Sequence, residues 1–490
     1  MTAPSDFIDL ASERLGGSVL YATDDFFAEK ENLLKPGPPV WKEHEYTDRG
    51  KWMDGWESRR KRTPGHDWAI IRLGLPGMIR EVIADTSYFR GNYPEHCSIE
   101  ATYARPETLL DALLSEETEW VEILPKSKLA GDSQNRFTID SSQAFTHLRF
   151  HIYPDGGVAR LRVLGEVVPD WSRLGNLGSE IDLAAVENGA RVLSCSDMFF
   201  GPKHNLIMPG RAANMSEGWE TKRRRGPGHD WVIVELAAEG EVRGVEIDTA
   251  HFKGNYPDTA SIDGASGAGD PATMEWVELL PRTRLQAHTR HLFSDELRHC
   301  GPFTHLRLNV YPDGGVSRLR VRGVVTEAGR QREAVRRINT NPLIERELRR
   351  VCGSSEWSRR MAESRPFESW GSLTAQSDAI WSALPREQWL AAFSAHPRIG
   401  EKAGGAWSSS EQSGIRSASA ATMEALAQAN RDYEKKYGHI FIVCATGKSA
   451  EEMLVIVRER MKNDSDTELR TAAEEQRKIM HLRLAKLVTG

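Results

Sequence analysis

The 490-residue sequence predicts a multidomain chain: two tandem all-β sandwiches, antiparallel and jelly-roll-like, followed by an all-α helical domain. Three features carry that prediction. A long internal repeat fills the first two thirds, apolar residues alternate with period two inside each copy, and the apolar period turns helical beyond Thr326.

The repeat is read from motifs. Asp54-Gly55-Trp56-Glu57-Ser58 recurs as Glu217-Gly218-Trp219-Glu220-Thr221, and Pro64-Gly65-His66-Asp67-Trp68 as Pro227-Gly228-His229-Asp230-Trp231, both 163 positions on (54 to 217, 64 to 227). Gly91-Asn92-Tyr93-Pro94 returns as Gly254-Asn255-Tyr256-Pro257 at the same offset. Tyr153-Pro154-Asp155-Gly156-Gly157-Val158 returns as Tyr311-Pro312-Asp313-Gly314-Gly315-Val316 at a slightly shorter one. Solenoid units run about 20 to 50 residues, so a period this long marks duplication of a whole domain. The copies are set at residues 1–170 and 171–325.

Within the first copy, Leu148, Phe150 and Ile152 alternate with Arg149 and His151, and Leu161 and Val163 with Arg160 and Arg162. Such alternation gives a strand one face to bury. Pro154-Asp155-Gly156-Gly157 between the two strands reads as a hairpin turn. The second copy repeats the pattern at Leu306, Leu308 and Val310, then at Leu319 and Val321, while Trp68 to Ile71 and Trp120 to Leu124 supply further strands. Strands of this kind pack face to face as a sandwich.

Residues 326–338 are charged and read as a linker, and 339–490 as the helical domain. Trp357 with Met361, and Trp389 with Phe393, stand at i, i+4. Ser449 and Glu452 form a capping box ahead of Leu454, Val457 and Met461, and Gly438 stops the helix that carries Leu426, Tyr433 and Tyr437.

Composition narrows the function. A hydrophobic fraction of 39% and a charged fraction of 27% are those of a soluble globular protein, and no apolar run has membrane-helix length. The N-terminus has neither a basic nor an apolar leader region, so a cytoplasmic location is expected. The formal net charge of −6 gives no global attraction for nucleic acid or an anionic membrane, which points to small-molecule substrates. Five scattered cysteines suit reduced thiols, and no cluster has metal-ligand spacing, so neither a metal nor an organic cofactor is expected.

Ala395-His396-Pro397-Arg398-Ile399-Gly400, Ser408-Ser409-Ser410-Glu411-Gln412 and the run from Gly438 to Ser449 are unusual for mere packing. Together with Arg365-Pro366-Phe367 and Arg483-Leu484 they make the region from about Asn341 to Val488 resemble the 2-oxo-4-hydroxy-4-carboxy-5-ureidoimidazoline (OHCU) decarboxylases. Tyr437 departs from the family's usual Phe. The resemblance implies decarboxylation to (S)-allantoin, with His396 as catalytic acid or base and Glu411 as its partner. It further implies that Pro397, Ser408, Ser409, Ser410, Gln412 and the backbone of Phe441, Ile442, Val443, Cys444 and Ala445 bind substrate, and that Arg483 clamps the carboxylate. Read without the family, His396 is a helix-terminal residue before a proline, and Glu411-Gln412 a solvated turn.

Leu15-Gly16-Gly17, Asp24-Asp25-Phe26-Phe27, Lys51-Trp52-Met53-Asp54-Gly55-Trp56-Glu57 and Arg160-Leu161-Arg162-Val163 make the first 325 residues or so resemble allantoicase, a family that itself carries the duplication. The resemblance implies hydrolysis of allantoate to ureidoglycolate and urea. Candidates come in matched pairs: Glu57 with Glu220, His66 and Asp67 with His229 and Asp230, Asp85 with Asp248, Arg90 with Lys253, Asn92 with Asn255. Glu57, His66 and Asp67 are taken as catalytic, and Arg90, Asn92, Lys253 and Asn255 as substrate-binding, although His-Asp and Asn-Tyr-Pro also suit plain turns. The basic runs Arg59 to Arg62 and Lys222 to Arg225 suit steering of an anionic substrate, RNA binding or a solvated face. The expected partners are allantoate and OHCU, with self-association and association with other urate-pathway enzymes left open. The alternative is a decarboxylase carrying a non-catalytic sandwich that binds ligand or scaffolds.

Overall fold

One unusually long strand organises each repeat. The computed structural model describes residues 7–105, 108–169, 179–396 and 419–487, and the chain divides into two compact units, Met1–Arg330 and Gln331–Gly490.

In the first repeat the main strands are β1 (Ser18–Ala22), β2 (Asp67–Asp85), β3 (His96–Thr102), β4 (Val121–Lys128), β5 (Gln134–Thr138), β6 (Ala144–Tyr153) and β7 (Arg160–Val167). All pair antiparallel. β2 runs for 19 residues and serves two layers. Its first half lies between β1 and β6, and its second half lies between β5 and β7. β3 extends the first layer beyond β6 and carries β4 on its other edge.

The second repeat follows the same plan with β8 (Arg191–Cys195), β9 (Asp230–Asp248), β10 (Thr259–Ala265), β11 (Val277–Arg284), β12 (Arg290–Phe293), β13 (Phe303–Tyr311) and β14 (Arg318–Val325). Leu148, Phe150, Ile152, Leu161 and Val163 are buried together with Leu306, Leu308, Val310, Leu319 and Val321, as period two requires.

The expected hairpin at Tyr153 to Val158 is an arch. β6 and β7 pair with opposite halves of β2, so the chain crosses between layers there. Two apolar strand faces can meet in one interior only from opposite layers, which alternation alone does not reveal. The arch is shaped by its glycines: Gly156 has φ 134°, and a Cβ on Gly157 would stand 1.9 Å from the Phe89 ring. Gly315 meets Phe252 at 2.0 Å in the same way.

Gly157–Val158 pairs with Trp56–Glu57, and Gly315–Val316 with Trp219–Glu220. The two tryptophans are fully buried, each indole N–H donating to a backbone carbonyl, of Asp24 at 2.8 Å and of Asp197 at 2.9 Å. In a two-residue strand the next side chain points the other way, so Glu57 and Glu220 emerge at the loop end.

The helix α1 (Glu327–Thr340) begins in the last residues of the first unit and continues into the second, which holds α2 (Ile344–Cys352), α3 (Ser355–Glu363), α4 (Trp370–Ser382), α5 (Arg386–Ser394), α6 (Ala420–Tyr437), α7 (Ala450–Arg460) and α8 (Ser465–Lys486). The stretch expected as a linker therefore lies in α1. Its Ala334, Val335 and Ile338 are buried, a narrow apolar stripe in a charged run. Ser449 caps α7 as predicted, its Oγ accepting from the Glu452 amide at 3.2 Å while the Glu452 carboxylate accepts from Ser449 N–H at 2.7 Å. Gly438 ends α6 in the left-handed region, at φ 74°. The run Phe441 to Ala445 separates two apolar clusters: Phe441, Val443 and Ala445 join one, and Ile442 joins the other.

Candidate active sites

At the loop end of the first sandwich the Glu57 carboxylate accepts a hydrogen bond from Asn92 Nδ2 at 2.7 Å, and burial pushes its pKa up. Arg90, two residues before Asn92, projects into solvent and pairs with Asp132 at 3.1 Å. The second repeat makes the same contact, Asn255 Nδ2 donating to Glu220, and also places that carboxamide 3.3 Å from Met215 Sδ. Lys253 is exposed there.

Backbone strain marks the same two places. Among the described residues the non-glycine positions with positive φ are Tyr88 (69°) and Asp132 (49°) in the first repeat and His251 (71°) and His288 (51°) in the second. They occupy matching positions in the duplication, and each conformation costs about 1–3 kcal/mol, strain that clusters at functional sites. Each pair is also bonded: Tyr88 N–H donates to Asp132 Oδ1 at 2.8 Å, and His251 N–H to His288 Nδ1 at 2.7 Å. The sequence reading missed these four residues. The signal was available in the duplication, because Tyr88 and His251 precede the shared Gly-Asn-Tyr-Pro by the same spacing yet differ in chemistry.

His66 and Asp67 go elsewhere. His66 Nε2 lies 2.9 Å from His151 Nδ1, and His151 Nε2 lies 2.9 Å from Glu100 Oε2. The His66 ring leans on Tyr153 at 4.4 Å between centroids. Since Phe150 and Ile152 face the core, His151 and Tyr153 belong to the outer face of the sheet. Burial lowers the pKa of both histidines. In the second repeat Asn309 stands where His151 would, its Nδ2 donating to Asp263 at 2.9 Å.

Asp67 is fully buried and accepts from Lys61 Nζ at 2.5 Å and Thr23 Oγ1 at 2.7 Å. Asp230 likewise receives Arg224 and, at 2.9 Å, Ser196. One member of each basic run thus turns inward and fastens the start of the long strand, a use that none of steering, RNA binding or a solvated face foresaw. Asp85 and Asp248 each accept a backbone N–H two residues on, at 2.8 Å, which is turn chemistry. The expected grouping of Glu57, His66 and Asp67 is therefore divided among three environments, and only Glu57 keeps company with Asn92.

In the helical unit, His396 Nδ1 lies 3.4 Å from Arg483 Nη2, and Arg483 is buried beneath it with Nη1 3.4 Å from the Val351 carbonyl. The run Phe441 to Ala445 is pinned from both sides: Arg460 Nη1 donates to the Ile442 carbonyl at 2.7 Å, and Cys444 N–H donates to Glu475 Oε2 at 2.8 Å. Arg460 is itself held by Glu468 at 2.6 Å. Pro397, Ser408, Ser409, Ser410, Glu411 and Gln412 lie outside the described residues. Among the described residues no His, Cys, Asp and Glu group could hold a metal, and no helix is long and apolar enough to cross a membrane.

The allantoicase-repeat family model matches twice, over residues 8–168 and 181–326. The chain belongs to the allantoicase family. The OHCU decarboxylase family model matches residues 341–485, so the allantoicase repeats are joined to a decarboxylase domain on one chain. A Pseudomonas fluorescens protein named "Probable allantoicase" is 52% identical over 327 residues, 66% of this chain and 97% of its own. A Photobacterium profundum protein of the same name is 49% identical over a stretch of the same extent. The crystal structure of allantoicase from Saccharomyces cerevisiae aligns with TM-score 0.55 and 35% identity, covering 66% of this chain and 94% of that one. The chain is a bifunctional enzyme of urate breakdown, hydrolysing allantoate to ureidoglycolate and urea and decarboxylating OHCU to (S)-allantoin. A non-catalytic sandwich is not favoured.

Proposed function

We propose that the Glu–Asn pair at the loop end of each sandwich repeat receives allantoate, and that His396 and Arg483 serve OHCU decarboxylation. One observation carries the first part: the same carboxyl–carboxamide contact recurs in both repeats, each time beside a strained, bonded pair of non-glycine residues.

Allantoate is a carboxylate bearing two ureido arms. Asn92 and Asn255 offer the donor and acceptor that a ureido group pairs with. Arg90 and Lys253 bring the cations that a carboxylate needs to the same rims. Burial raises the pKa of Glu57, so its carboxyl holds a proton more readily than a free side chain does, which suits a group that takes part in proton exchange with bound ligand. His66 and Asp67 stand apart from this pair and receive no role at the substrate.

In the helical unit a buried guanidinium beside an imidazole suits a substrate carboxylate that must be held and then lost as CO2. Glu411 as the partner of His396, with Pro397, Ser408, Ser409, Ser410, Gln412 and the pinned Phe441 to Ala445 backbone around the ring, completes the reading. A cytoplasmic setting belongs to it as well, supported by five free thiols.

Urea release from allantoate by the Glu57→Gln/Glu220→Gln double variant, beside a His396→Ala control, tests the division of labour. The double variant is expected to lose at least about 100-fold in rate while decarboxylating OHCU normally, and His396→Ala to do the reverse. Full urea release by the double variant would remove the Glu–Asn pair from the mechanism.

A further inference from the structure

The two loop-end sites differ in one chemical respect. In the first repeat the strained pair is Tyr88 and Asp132, with Tyr88 stacked on Trp41 at 5.7 Å and Asp132 paired with Arg90. In the second it is two histidines, His251 and His288, with ring centroids 5.6 Å apart. Imidazole is the side chain whose ordinary pKa lets it both hold and release a proton near neutrality. Neither a phenol nor an ion-paired carboxylate does that.

The bonding of the two rings sets their tautomers. His288 Nδ1 accepts the His251 backbone N–H at 2.7 Å, so His288 carries its proton on Nε2. His251 Nε2 lies 2.9 Å from the Ala212 carbonyl, which can only accept, so that nitrogen is the donor and Nδ1 is the ring's basic atom. The same short segment continues to Met215, which touches Asn255, which in turn donates to Glu220. Residues 212 to 215 thus tie the histidine pair and the Glu–Asn pair into one loop cluster. Phe199 and Phe200 beside it are 70% and 62% exposed, and the Phe200 amide donates to the Glu220 carbonyl at 3.1 Å.

We infer that His251 is the proton-transferring residue of allantoate hydrolysis and that turnover takes place in the second repeat, with His288 and Ala212 as the groups that position it. The inference rests on the reading that the Glu–Asn pair receives the ureido-carboxylate. In the step, water adds its hydroxyl to the carbon that carries the ureido arms, and the bond from that carbon to one nitrogen breaks. Glu220 takes the proton of the water, and the departing urea nitrogen takes the Nδ1 proton of the His251 imidazolium. Glu220 then returns its proton to His251. The first repeat binds the same class of ligand through Glu57 and Asn92 but has no imidazole at the matching position.

The duplication supplies the test. Tyr already occupies the equivalent strained conformation at position 88, so His251→Tyr removes the imidazole with little change to the backbone. In the full chain, His251→Tyr is expected to lower kcat for urea release by at least about 100-fold while KM for allantoate stays within about threefold. His251→Gly, which a positive φ favours, is expected to regain turnover when imidazole is added. OHCU decarboxylation in each preparation reports that the chain is otherwise intact. Retention of kcat by His251→Tyr overturns the inference, and so does a loss in His251→Gly that imidazole does not relieve. If Glu57→Gln abolishes hydrolysis while Glu220→Gln spares it, the inference falls but the Glu–Asn reading stands. If neither single variant nor their combination matters, both fall together.

Discussion

The two sandwich repeats share one frame, with an outer-face histidine leaning on a tyrosine in each (His66 on Tyr153, His229 on Tyr311), yet only the first extends it into a histidine chain and only the second puts an imidazole pair at the strained loop positions. In the first, His66 and His151 form a chain with Glu100 on the outer sheet face, and the loop end carries Tyr88 and Asp132. In the second, the outer face has Asn309 and Asp263, and the loop end carries His251 and His288. The frame is fixed by groups that burial constrains: Trp56 and Trp219, the arch glycines, and Asp67 and Asp230 with their inward cations. Surfaces are free of that constraint, so proton-handling groups could move after duplication while the interior could not.

The largest expected effect tests whether the frames are equivalent. Trp56→Ala and Trp219→Ala should each cost about 3–5 kcal/mol in the sandwich unit's unfolding transition, measured in denaturant. A marked inequality between them would break the comparison at its base.

Next comes acid stability. Burial pushes His147 down to about 4, and His305, its counterpart, is lowered by the same cause. Both are therefore neutral in the folded state and protonate more readily when unfolded. Their contribution is fully present above about pH 6.5 and is lost as the pH falls from there through about 4. For His147 the loss should be on the order of 3 kcal/mol. Melting temperatures of wild type and His147→Asn across that range would show it, and identical acid profiles would refute it.

Smaller again is the exchange of outer-face residues. His151→Asn installs what the second repeat already uses, and should change stability at pH 7 by less than about 1 kcal/mol while leaving urea release unaltered. A collapse of urea release would return the His66 chain to the hydrolytic mechanism. Smallest is Arg90→Ala. The pair with Asp132 is exposed and screened, so the variant should melt like wild type and, with turnover in the second repeat, keep its KM for urea release, while calorimetric binding of allantoate at the first repeat weakens.

Much of this was legible in the sequence, and the parts that were not share a cause. Period-two alternation named the core residues of β6 and β7, and Ser449 with Glu452 named the cap of α7, because these depend on near neighbours alone. The arch was misread as a hairpin because alternation reports a strand's buried face, not which strand lies beside it. Glu57 and Asn92 were named separately, and their contact depends on the arch that pairs Gly157 with Glu57 and bonds Gly157 N–H to the Asn92 carbonyl. His66 was singled out for its residue type, yet its partner His151 is an outward position in a strand eighty-five residues away. Tyr88 and His251 were passed over because φ is not written in residue type.

The shared strands β2 and β9 also set how these sandwiches come apart. A strand hydrogen-bonded into both layers leaves no seam along which one sheet could peel from the other. Local opening would have to break both layers at once, so each repeat should behave as a single foldon. The central amides of Asp67–Asp85 and Asp230–Asp248 should then be the last in their repeats to exchange with deuterium, and should do so together. A protease would accordingly find the edges and loops of either repeat long before it found a half-opened sandwich.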